Sequence, residues 1–146
     1  MRLLSWNVNG IRAAIRKGFW DSLRADGPDL LCLQETRIHS DQLTREMREP
    51  SGYHSYWASG EKRGYSGVAT FSRQELQAVH KGFGHPRFDI EGRVLITEHA
   101  GFTLINAYFP SGQRGHERVA YKLDFYDTLL SYCGELRSNG HRLVVC

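Results

Sequence analysis

Glu35 stands just past the apolar run Leu30-Leu31-Cys32-Leu33, and Asn7 stands just past a short segment over residues 2–6. A carboxylate at the end of a buried strand is costly unless something compensates its charge. A carboxamide beside it adds a second hard oxygen donor, and one protein carboxylate with such a neighbour and several waters is what Mg²⁺ prefers. Each residue also has a plainer reading: a Glu that turns out to solvent, an Asn that makes a turn, and an Asn9-Gly10 step that forms a tight turn or helix N-cap. A third group comes from N-A-Y-F-P-S-G at 106–112. Asn106 and Tyr108 lie on one face of an extended strand by its period of two, and a Tyr hydroxyl can donate to or accept from a phosphoryl oxygen; the alternative is a buried Tyr with its hydroxyl satisfied. The loop G-E-K-R-G-Y-S-G at 60–67 joins close backbone approach, positive charge and the Tyr65 ring. That combination suits a phosphate backbone, and it equally suits a flexible hairpin loop.

These groups can act together only if the chain brings them to one edge. Residues 2–6 read as a short buried strand, residues 7–10 as a turn, and Ile11, Ile15, Phe19 and Leu23 as one helix with a single apolar face. After Gly27-Pro28 comes a second strand over residues 30–33. Strand, helix and strand make a crossover unit whose strands run parallel, so Asn7 and Glu35 are expected at the same sheet edge. Residues 53–57, 68–72, 93–98 and 102–109 read as strands between Gly-rich turns, an antiparallel pattern. A helix is expected over 118–137 and a last strand over 142–146, parallel to 102–109. The apolar strand runs to Cys146 without a cap or polar tail, so residues 1–146 are expected to be the N-terminal portion of a longer single domain.

Composition narrows the classes. With 146 residues, 40% hydrophobic and 24% charged, the chain has the proportions of one globular domain. No apolar run approaches the roughly 20 residues of a membrane span, and the first residues lack a signal-peptide pattern, so a cytoplasmic protein with no membrane partner is expected. Three cysteines without a C-x-x-C pair and seven histidines without an H-x-x-x-H pair give no zinc pattern. The formal charge of +3 permits a polyanionic partner without requiring one. Basic residues gather at Arg12, Arg16 and Lys17, at Lys62 and Arg63, and at Arg114 and Arg118; each group alone could simply solvate an exposed face.

Taken in order, S-W-N-V-N-G-I-R-A at 5–13, L-C-L-Q-E-T-R at 31–37, G-Y-S-G-V-A at 64–69, E-G-R-V at 91–94 and N-A-Y-F-P-S-G at 106–112 closely resemble the exonuclease III family of apurinic/apyrimidinic endonucleases. The resemblance implies an α/β fold, here half of a four-layer sandwich with mixed, mostly antiparallel sheets and flanking helices. It implies Mg²⁺-dependent hydrolysis of DNA phosphodiester bonds in base excision repair, with Mn²⁺ as an alternative ion. The substrate would be double-stranded DNA with abasic sites or 3′ ends, and the complete protein a monomer. By motif, Glu35 resembles the metal ligand, Asn7 the amide that supports metal or phosphate, and Tyr108 the catalytic tyrosine. Arg12, Tyr65 and Arg114 fall where family members touch DNA, and Asn106 joins them as a substrate-binding residue by sharing the Tyr108 face. Asn9 stands where some relatives carry Asp, and Arg37 where many carry Lys. The family's G-D-x-N and late S-D-H segments are absent from residues 1–146, so the 146 residues alone are expected to be inactive. That absence keeps open a non-catalytic nucleic-acid-binding module or one half of a split enzyme. A lipid or inositol phosphatase of the same superfamily is disfavoured by the loops at Tyr65 and Tyr108.

Overall fold

A computed structural model describes residues 1–146 except Gln77 and Arg114. Among the described residues eight strands form two sheets: β1 (Leu3–Asn7), β2 (Leu30–Gln34), β4 (Val68–Ser72) and β3 (His54–Ala58) in the order β1-β2-β4-β3, and β5 (Val79–Lys81), β6 (Val94–His99), β7 (Phe102–Ala107) and β8 (Leu143–Val145) in the order β5-β6-β7-β8. Each sheet holds one parallel pair, β1 with β2 and β7 with β8, and its other pairings are antiparallel. Both are therefore mixed, as expected.

Alternation along the strands builds the layers. On β2, Leu31 and Leu33 pack with Ala69 and Phe71 of β4 against the helices α1 (Ile11–Arg16) and α2 (Phe19–Asp26), through Ile11, Ala14, Phe19 and Leu23. Leu30 and Cys32, one residue out of step, face Leu104 of the second sheet. On β6 and β7, Val94, Ile96, Ile105 and Ala107 face Tyr121, Phe125 and Leu129 of the long helix α5 (His116–Ser138), and Leu95 faces Ala58 and Val68 of the first sheet. Period-two side-chain alternation thus splits each sheet between a helical layer and the other sheet. Short helices α3 (Arg45–Arg48) and α4 (Pro86–Asp89) and a 3₁₀ turn at Ser40–Gln42 complete the chain.

Three expectations need correction. The single helix from Ile11 to Leu23 is two helices, broken at Lys17 and Gly18, where Gly18 takes φ 94°. A spacing of four drifts about 40° per step around a helix of 3.6 residues per turn, and the break returns Phe19 and Leu23 to the face that Ile11 and Ala14 cover. Strand β1, expected to be buried, pairs with β2 alone among the described residues, and within them Ser5, Trp6 and Asn7 are exposed. Strand β5 had no counterpart in the sequence reading, since Val79-His80-Lys81 carries one apolar residue and little periodicity. Among the described residues no helix is long and apolar enough to cross a membrane.

Candidate active site

The parallel register of β1 and β2 sets Asn7 opposite Gln34, so the residue after Gln34 emerges beside Asn7. The backbone then fixes Glu35 from both sides. Val8, Gly10 and Ile11 donate to the carbonyls of Gln34, Glu35 and Thr36, while Thr36 and Arg37 donate to the carbonyls of Gly67 and Ser66, all between 2.8 and 3.1 Å. Asn9, Glu35, Arg37 and Ser66 are the non-glycine residues with positive φ among the described residues, and all four lie in this clamp. Left-handed backbone is uncommon outside glycine and persists where surrounding structure over-determines it, often at functional sites. Gly67 is required here: at φ 92° a Cβ would lie 2.4 Å from Thr36 Oγ1.

Side chains complete the geometry. Asn7 Nδ2 donates to Glu35 Oε2 at 3.0 Å, and Asn7 Oδ1 accepts the Asn9 N–H at 3.0 Å. The Asn9 donor fixes which way the amide points. Asn7 thus orients Glu35 and spends one lone pair of its own oxygen on the Asn9 N–H. Arg37 pairs with Glu35 Oε1 through Nε at 3.0 Å and through Nη2. Burial pushes the Glu35 carboxyl up, but hydrogen bonds from Asn7 and Arg37 and the Arg37 charge outweigh it and hold the pKa below the ordinary value. Tyr108 lies against the same carboxylate, and burial together with the Glu35 charge raises its phenol. Glu35 is therefore ionised and Tyr108 protonated at neutral pH.

Glu35, Arg37 and Tyr108 line a cleft of ≈ 650 Å³ with Lys62, Tyr65, Ser66, Glu91, Arg93, Gln113 and Arg118 among its other walls. Among the described residues four cations face two carboxylates there, and the Ser66 hydroxyl is buried without a partner. On the far wall Arg93 is only 2% exposed. Its Nε meets Glu91 Oε2, Nη1 donates to the Tyr108 carbonyl at 2.9 Å and Nη2 to Tyr65 Oη at 2.8 Å. Arg118 adds bonds to Glu91 Oε1 at 3.3 Å and to Tyr65 Oη at 3.2 Å. Burial raises the Glu91 carboxyl, but Arg93 and Arg118 more than offset this and leave it below its usual range.

The structure thus gathers Asn7, Glu35, Tyr65 and Tyr108 as expected. Three other expected residues fare differently. Asn106 shares the Tyr108 face, but one pleat earlier it is 0% exposed between the sheets. There it accepts from Gln34 Nε2 at 2.8 Å and donates to the Ala69 carbonyl at 2.8 Å, so it ties the sheets together and cannot touch substrate. Arg12 is exposed on α1, outside the residues that line the cleft. Arg114 lies outside the described residues. The sequence reading gave no roles to Arg37, Ser66, Glu91 and Arg93. For the last two the signal was E-G-R itself, in which Gly92 lets the chain pass so close to residues 59–60 that a Cβ would lie 2.2 Å from the Ser59 carbonyl carbon.

Two mixed sheets stacked between helical layers, with an ionised carboxylate and a cationic cleft at one rim, form the architecture shared by a class of nucleases and phosphatases. Residues 4–146 match the model of the Endonuclease/Exonuclease/phosphatase family. The chain is 43% identical over 137 residues to an exodeoxyribonuclease of Bacillus subtilis, covering 93% of this chain and 53% of that protein. It is 42% identical over 124 residues to the DNA repair nuclease APEX1 of Danio rerio, covering 84% and 40%. Among solved structures, a 3′-5′ exonuclease from Neisseria meningitidis superposes with a TM-score of 0.87 at 27% identity, over 99% of this chain and 56% of that one. The chain belongs to this family, within its exonuclease III and apurinic/apyrimidinic endonuclease members, and it spans about half the length of the curated relatives it matches.

Proposed function

We propose that the full-length protein hydrolyses phosphodiester bonds of double-stranded DNA in base excision repair, at abasic sites, at 3′ ends or both, with Mg²⁺ held at Glu35. The observation that carries this reading is the ionised Glu35 carboxylate, clamped at the end of two parallel strands and facing Tyr108 across the rim of a cationic cleft. The donor set fits the ion. Among the described residues no group of three His, Cys, Asp or Glu side chains converges, which disfavours zinc, whereas Mg²⁺ keeps several waters and takes one or two carboxylates. Mn²⁺ accepts the same oxygen donors. When bound, the ion supplies neutralisation of charge developing on the phosphoryl oxygens. Asn7 holds the carboxylate in place, the Tyr108 O–H is positioned to donate to a phosphoryl oxygen, and Lys62 and Arg118 offer charge to flanking phosphates. The names of the relatives support DNA as the substrate.

The test uses the full-length protein and a duplex carrying one abasic site. Cleavage is expected with Mg²⁺ and not with EDTA, and Glu35→Gln is expected to slow it by at least about 10²–10³-fold while circular dichroism stays unchanged. Cleavage that survives EDTA rejects the reading, and a fully active Glu35→Gln variant removes Glu35 from the site.

A further inference from the structure

Arg93 is a buried cation that the metal-site reading leaves without work. Its guanidinium spends each of its three nitrogens on a different partner: Glu91 through Nε, the Tyr108 carbonyl through Nη1 and the Tyr65 hydroxyl through Nη2. It also lies over both rings, 4.9 Å from the Tyr108 centroid and 5.5 Å from that of Tyr65. The Arg93 carbonyl accepts the Tyr108 N–H at 2.8 Å, so side chain and backbone grip the same strand end. The Tyr65 hydroxyl accepts from Arg93 and Arg118 and lies 3.5 Å from Glu91 Oε2. Those partners use up its hydrogen-bonding capacity, which leaves the ring of Tyr65, with Lys62 5.8 Å from its centroid, as the part that can meet a ligand.

We infer that Arg93 is a positioning residue whose single planar fork sets Tyr65 and Tyr108 together, so that the aromatic wall of the cleft and the phenol beside Glu35 move as one piece. The inference rests on the nuclease reading above. Arginine suits the task and lysine does not, because three nitrogens spread over one plane reach three separate partners, whereas an ammonium donates from a single point. Small displacements of positioned groups lower turnover steeply. Loss of the Arg93 fork should therefore appear in the kinetics of folded protein.

The experiment compares wild type, Arg93→Lys, Tyr65→Phe and the double variant in the full-length protein. Steady-state cleavage of the abasic duplex is measured per active site, with circular dichroism to confirm folding. Arg93→Lys is expected to lower kcat about tenfold or more and to raise KM. Tyr65→Phe is expected to raise KM, and the double variant to raise it by less than the product of the two single effects, because both changes break the Arg93–Tyr65 bond. Unchanged kcat and KM per folded molecule, with only a lower melting temperature, would make Arg93 purely structural and overturn the inference, as would additive effects on KM. If Arg93→Lys does not fold, Tyr65→Phe combined with Glu91→Gln poses the same question, with non-additive KM expected and additivity overturning it. A wild type that cleaves no DNA defeats the nuclease reading; an active wild type with additive variants defeats only this inference.

Discussion

Glu35 and Glu91 stand on opposite walls of one cleft and are held by opposite means. Backbone positions Glu35: two segments donate to and accept from residues 34–37, and Glu35 is itself left-handed with three more left-handed residues, Asn9, Arg37 and Ser66, around it. Its guanidinium partner, Arg37, is 47% exposed and is free to swing into solvent. Side chains position Glu91, through Arg93, which is buried, and Arg118, which bridges to Tyr65. Both carboxylates are ionised, yet the charge of Glu91 is consumed inside the protein, whereas that of Glu35 faces a partner that can leave. An incoming cation can displace Arg37 at little cost, but it could take Glu91 only by stranding a buried arginine. The contrast favours Glu35 over Glu91 for the proposed metal site.

The contrast can be broken at its backbone end. Gly67→Ala would place a Cβ against Thr36 Oγ1 in a left-handed residue and force the strand that holds Glu35 to shift. Destabilisation of roughly 3 kcal/mol is expected, read as a lower urea midpoint of the full-length protein, with cleavage falling as well. A neutral substitution would mean that the clamp is slack and that Glu35 owes its place to side chains, as Glu91 does.

At the side-chain end, Glu91→Gln keeps the shape and removes the charge that Arg93 and Arg118 share. A loss of roughly 2 kcal/mol is expected at neutral pH. The folded pKa of Glu91 lies below its ordinary value of 4.5. Its contribution is therefore complete above that value and fades as pH falls through the depressed folded pKa. Wild type and variant should differ most near neutrality and converge in acid. A gap that stays constant down to the lowest measurable pH would show that the lost stability is packing rather than charge.

The two walls also differed in how far they could be read from sequence. The Glu35 wall is local in its logic: two apolar runs, a crossover and a parallel register bring Asn7 and Glu35 together, and period-two alternation carries Tyr108 to the same edge. The strand over residues 68–72 was legible to the residue, and α5 to within two residues at its start and one at its end. The Glu91 wall joins residues 65, 91–93 and 118, and no periodicity or spacing reports contacts between segments so far apart. Asn106 shows the same limit from the other side. Its face was correct, but its depth depends on how closely the second sheet packs, which the sequence of one strand does not encode. The break at Gly18 was hidden because a spacing of four satisfies both one drifting helix and two shorter ones.

The smallest expected effect sharpens the contrast most directly. If Arg37 guards Glu35 as a movable counter-charge, Mg²⁺ must compete with it, because both need the same carboxylate oxygens. Arg37→Gln removes that competitor and one positive charge beside the ion, leaving Asn7 and the backbone clamp intact. The Mg²⁺ concentration for half-maximal cleavage should fall about two- to fivefold, in keeping with the modest worth of an exposed ion pair, and the difference should shrink as ionic strength rises. Arg37 could instead contact the substrate, and then the variant would raise KM for DNA and leave the metal requirement unchanged. A Mg²⁺ titration at saturating DNA separates the two outcomes. Only a fall in the metal requirement supports a guanidinium that yields to the ion, as the one buried on the opposite wall cannot.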